Sequence, residues 1–139
     1  MSDNVKAKIE KILNEHNVGP MATVQQNKPH SRYMTFFAEE LKLYTATSKE
    51  THKTEELDAN PYTHILLGYE GQGIGDEYVE YEGKVAISSS DEIKKKLWND
   101  HMKPWFEGPE DPSYIVLEIQ PIQIRLMNKK GQPPKVLEL

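Results

Sequence analysis

The segment LYTATSKETHKTEELDANP, Leu43 to Pro61, gathers hydroxyls and cations where one element ends and another begins. Thr45, Thr47 and Ser48 offer hydroxyl donors, and Lys49, His52 and Lys53 offer positive charge. Two chemistries fit this spacing. Thr47-Ser48-Lys49-Glu50 has the T-x-x-E form of a capping box, in which the first side chain satisfies a free N–H of a helix and the glutamate reaches back. The same helix start, with its unsatisfied N–H groups and partial positive charge, is also a seat for a phosphate. Arg32, on a neighbouring predicted strand, could add a planar fork suited to phosphate oxygens. Local physics leaves both readings open.

Other residue patterns carry less. EGQGIG, Glu70 to Gly75, resembles a phosphate-binding glycine loop but precedes a strand rather than a helix, so it reads as a hairpin connection. His16, His30, His52, His64 and His101 lack the spacing of metal ligands, and no metal site is expected. No serine lies in a G-x-S-x-G elbow, so a hydrolase mechanism has no support. Trp98 reads as a core or interface residue. Trp105, in the irregular stretch HMKPWFEGPEDP, is the better candidate to flank a planar ligand.

The elements that must position these residues follow from periodicity. Val5, Ile9, Ile12, Leu13 and His16 recur at helical spacing, so residues 3–16 form an amphipathic helix, stopped by Asn17 to Pro20. PMATVQQ, PHSRYMTFF and LKLYTAT are short strands joined by the turn Asn27-Lys28 and by Ala38-Glu39-Glu40. On the second strand Arg32, Met34 and Phe36 share one face, while Ser31, Tyr33, Thr35 and Phe37 share the other. Residues 50–59 form a short helix ended by Asn60-Pro61. YTHILLGYE and YVEYEGKVAIS are further strands, and a helix begins at Ser90 or Asp91 and runs through Trp98. In SYIVLEIQPIQIRLM the apolar phase changes at Pro121, with Ile115, Leu117 and Ile119 before it and Ile122, Ile124 and Leu126 after it. Such a change predicts a bulge or bend. Six mostly antiparallel strands and three helices favour a small barrel over a parallel α/β sheet.

The totals set outer limits. A chain of 139 residues, 37% hydrophobic and 28% charged, is the size of one domain spanning 1–139. A net charge of −5 disfavours a general nucleic-acid or anionic-membrane binder. No apolar run approaches the roughly 18 residues that span a bilayer, and MSDNVKAKIEKIL lacks a signal-peptide core. The absence of cysteine removes thiol chemistry and fits a cytoplasmic location.

With those elements placed, KPHSRYMTFF, LYTATSKETHKTEELDANP and PWFEGPEDPSYIVLEIQP together resemble the flavin-binding split barrel of the pyridoxamine 5′-phosphate oxidase superfamily. Within it, the Trp–Phe–Gly-Pro-x-Asp-Pro segment is similar to the small bacterial general stress proteins of the general stress protein 26 type. The resemblance runs from about Lys6 to Arg125. It implies a mainly β (α+β) fold, a six-stranded antiparallel split β-barrel with peripheral helices, assembled as a homodimer with flavin at the subunit interface.

What the resemblance implies for the site is specific. Arg32, Tyr33, Met34, Thr35 and Phe36 lie on the strand that lines the flavin, with the arginine directed to its phosphate. Tyr44 and Thr45 contact the flavin from the next strand. Lys53, eight residues before the Asn-Pro proline, binds phosphate. His52 stands where the family often has arginine, which could make phosphate binding pH-sensitive. Thr47, Ser48 and Lys49 belong to a connection longer than that of the true oxidases. The chain's C-terminal NKKGQPPKVLEL lacks the arginine and histidine residues with which those oxidases bind pyridoxal phosphate. The expectation is therefore an FMN-binding general stress protein with oxidoreductase activity and an unassigned substrate. A nicotinamide or another small molecule would be its electron partner, and true pyridoxamine phosphate oxidation is not expected. The alternatives are FAD in the same cleft, a non-catalytic flavin carrier or sensor, or a structural dimer with an empty cleft.

Overall fold

The computed structural model describes residues 2–48, 60–71, 77–88, 90–127, 133–137 and 139. The helix expected over 50–59 lies outside them. Helix α1 (Ser2–Glu15) is followed by strands β1 (Val18–Gln25), β2 (Lys28–Glu39), β3 (Lys42–Ser48), β4 (Tyr62–Leu67) and β5 (Tyr78–Ser88). Helix α2 (Asp91–Leu97), a 3-10 turn (Asp100–Met102), β6 (Tyr114–Met127) and a short β7 (Lys135–Leu137) complete the chain. Every pairing is antiparallel, in the order β3-β2-β1-β4-β5-β6, and β3 pairs with β6 to close a six-stranded barrel. Strand β7 adds to β6 through Ile124, Arg125 and Leu126; three residues are too few to show a period in the sequence.

Alternation builds the interior. Met21, Phe36, Leu43, Ile65, Leu67, Val79, Tyr81, Leu117, Ile119, Ile124 and Leu126 are buried in one cluster, and Ile9 and Leu13 bring α1 into it. Tyr81 is fully buried, and its hydroxyl donates to the carbonyls of Leu41 and Ile119 at 2.6 and 3.2 Å. Burial pushes that phenol far above its ordinary pKa, which keeps it a neutral donor.

The strand boundaries match the periodicity within a few residues, with three differences. The β1–β2 turn falls on Gln26 and Asn27, both at positive φ (51° and 63°), rather than on Asn27-Lys28. Gln25 pairs with Lys28, so this is the two-residue hairpin whose twist suits the flanking strands. The predicted irregularity at Pro121 is a bulge: Gly83 pairs with Pro121 and Glu82 with Gln123. Ile122 is the extra residue and is 44% exposed, so it does not join the core as its phase suggested. A Cβ on Gly83 would lie 2.6 Å from Ile119 Cγ2, which is why the strand facing the bulge has no side chain there. Helix α2 is capped by Ser90, whose Oγ accepts from the Ile93 N–H at 3.3 Å, but it stops at Leu97. Trp98 is extended there, because its ring turns to pack on Tyr114. No helix among the described residues is long and apolar enough to cross a membrane.

Candidate functional site

A second, smaller apolar cluster lies outside the barrel. Tyr44 and Val116, from the outer faces of β3 and β6, and Tyr114 at the start of β6 hold Met102 and Phe106. The rings of Phe106 and Tyr114 are 5.1 Å apart, and those of Trp98 and Tyr114 are 5.7 Å apart. The Tyr114 hydroxyl donates to the Lys94 carbonyl at 2.9 Å, and burial raises its pKa. These contacts seat the segment 99–106 against the barrel wall.

That segment is shaped by short-range hydrogen bonds. The Asn99 side chain caps the 3-10 turn by accepting from the His101 N–H at 2.9 Å. The N–H groups of Trp105 and Phe106 both donate to the Met102 carbonyl at 3.0 Å. Positions 102 and 106 therefore face the barrel, while 101 and 105 face away. Asp111 then fixes the exit. Its carboxylate accepts from the Glu107 N–H at 2.9 Å and from the N–H and hydroxyl of Ser113 at 2.9 and 2.8 Å. These bonds, the one from Glu107 first, hold its pKa below the ordinary carboxylate value.

Between this segment and strands β2 and β3 lies a cleft of about 710 Å³. Of the residues singled out in the sequence, Tyr33, Met34, Thr35, Thr47, Ser48 and Trp105 line it. The others are placed differently. Phe36 is buried in the barrel. Arg32 points to the same inner side, where its Nη1 donates to the Thr23 hydroxyl at 2.7 Å. Thr45 is fully buried and donates to the Thr35 carbonyl at 2.7 Å, so it supports the wall from within. Tyr44 packs under the 99–106 segment. Lys49, His52 and Lys53 lie outside the described residues.

Phe37, at the end of the strand expected to line the flavin, lines the cleft too; Asn17, Ala46, Asn99, His101, Met102 and Phe106 also line it and were not found from the sequence. One signal was available: His101/Trp105 and Met102/Phe106 are each four apart, the spacing of two faces of a helical turn. No carboxylate occurs among the described lining residues, although the chain carries 22 acidic side chains. The wall offers aromatic faces, hydroxyls and amides without a negative charge, a lining suited to a planar ligand with an anionic tail.

The profile of the family described as pyridoxamine 5′-phosphate oxidase matches residues 5–128. The chain belongs to this family. General stress protein 26 of Bacillus subtilis (strain 168) is 53% identical over 136 residues, covering 98% of this chain and 97% of that protein. The crystal structure of general stress protein 26 from Bacillus anthracis str. Sterne superposes with a TM-score of 0.87 at 35% identity, covering 98% of this chain and 99% of the other. Family membership thus extends to its general stress protein 26 group. A heme-binding protein from Mycobacterium smegmatis has the same fold, with a TM-score of 0.77 at 15% identity, covering 94% of this chain and 56% of that one. The likeness to that protein is one of fold alone.

Proposed function

We propose that this family member binds FMN in the cleft between the β2–β3 wall and the 99–106 segment, and that it acts as a flavin-dependent oxidoreductase. The observation that carries this reading is the lining of that wall: Tyr33 and Phe37 beside the hydroxyl residues Thr35, Thr47 and Ser48, with no carboxylate among the described cleft residues. An isoalloxazine ring suits the aromatic part. The phosphate would lie toward Lys49, His52 and Lys53, all within five positions of Ser48 in sequence. When bound, the flavin would supply the electron transfer, and the protein would orient it and exclude water.

The same reading makes the protein a cytoplasmic homodimer with the cleft at the subunit boundary. Tyr33, 78% exposed, also lines a neighbouring groove with Val18, Leu66, Tyr69 and Tyr78, so apolar surface continues outward from the cleft. A second copy would cover it. FAD in place of FMN, or a flavin held without turnover, keeps this geometry and changes only the chemistry.

The test is the absorbance spectrum of the purified protein with mass spectrometry of the released ligand. The expected result is a flavin band at about 450 nm and the mass of FMN. A heme spectrum, or no binding of added FMN or FAD by the folded protein, would sink the proposal. Sedimentation velocity decides the dimer.

A further inference from the structure

The flavin reading uses the β2–β3 wall and leaves the opposite rim unexplained. On that rim His101 is exposed, and Trp105 is 74% exposed, an unusual degree for an indole in a turn so firmly anchored. Their neighbours on the turn, Met102 and Phe106, are buried against Tyr114, so the two outward side chains are presented by a fixed backbone. The adjacent charges satisfy each other, Lys103 Nζ lying 3.4 Å from Asp100 Oδ1. Among the described cleft residues the titratable side chains are then His101 and Tyr33. The side-chain oxygen of Asn99 is taken by the His101 N–H. What remains is an apolar ring face beside an imidazole, with no carboxylate to hold a cation. A ligand fitting this rim is flat, uncharged or anionic, and accepts a hydrogen bond.

We propose that Trp105 and His101 form a second subsite of the cleft, holding a planar aromatic carbonyl compound of the quinone class. Its ring lies against the indole, and its carbonyl oxygen accepts a hydrogen bond from the imidazole. This rests on the flavin reading only in that both ligands share one cleft, and the subsite names the class of compound that meets the bound flavin.

The chain has two tryptophans, so Trp98→Phe leaves Trp105 as the sole indole reporter. Menadione (2-methyl-1,4-naphthoquinone) is titrated into this variant with and without saturating FMN, and into the wild type by calorimetry in case the variant folds poorly. Saturable quenching that persists with FMN bound is expected. His101→Gln, which keeps a donor, holds the Kd within about twofold, whereas His101→Leu weakens it about tenfold, the scale of one hydrogen bond. Trp105→Ala abolishes the calorimetric signal. Quenching that never saturates, an unchanged Kd in His101→Leu, or simple competition with FMN would each overturn the second subsite. Saturable menadione binding by a protein that refuses FMN would support the subsite and overturn the flavin reading instead.

Discussion

The barrel interior and the outer cluster beneath residues 99–106 are both apolar, but they are held in different ways. Inside the barrel, side chains from all six strands and α1 interlock, and each strand is hydrogen-bonded on both edges. Outside, Met102 and Phe106 rest on Tyr44, Tyr114 and Val116, and the backbone between them is tied by a few local bonds from Asn99, Met102 and Asp111. The first arrangement fixes the fold and the second positions one wall of the cleft. Damage to the two should therefore separate global stability from ligand binding.

Two phenylalanines allow that separation to be measured. Phe36→Ala, at a 1% exposed position, should cost about 4 kcal/mol of unfolding free energy, read by urea denaturation. Its folded fraction should bind flavin normally. Phe106→Ala, 8% exposed at the cluster's edge, should cost less, about 3 kcal/mol at most, and should weaken ligand binding well beyond its effect on stability. If the two variants lose stability and binding in the same proportion, the clusters are a single cooperative unit.

Lys53→Ala should weaken FMN binding by about 1.5–3 kcal/mol, the scale of a charge-assisted hydrogen bond, with no change in urea midpoint. Unchanged affinity in a folded protein would remove the phosphate role given to this residue.

The smallest expected effect is at Asp111. Its native pKa is depressed, so its contribution is fully present above the ordinary aspartate value and is lost as pH falls through the lower native one. Tryptophan emission should therefore change in that acid range while the far-ultraviolet signal of the barrel persists. Asp111→Ala should show the altered emission already at neutral pH. Coincident loss of both signals in acid would tie the segment to the barrel.

This contrast also explains what the sequence could reveal. Barrel strands were legible because burial on one face imposes a period of two, and Pro121 marked the bulge because it breaks that period. Which face of β2 looks inward was not legible. Arg32-Met34-Phe36 and Tyr33-Thr35-Phe37 are equally mixed in character, and only the closed barrel shows that the first set points in. The hydroxyls of Thr47 and Ser48 could be found from their crowding beside cations. For His101 the one trace was its four-residue spacing from Trp105, because the turn that presents it exists through Tyr114 and Asp111, neither of which leaves a periodic signal near position 101.

The β3–β6 seam has a consequence for the life of the chain. Lys42 and Glu118, bridged at 2.6 Å across it, are 76 positions apart, and the seam carries both Tyr44 and Tyr114. Contacts so distant along the chain form late in folding, because a long loop must close before they are rewarded. During synthesis, the hairpins of β1, β2 and β3 leave the ribosome well before β6 exists. The cleft is completed only when β6 arrives, so any cofactor joins a nearly finished protein rather than guiding the folding of its first half.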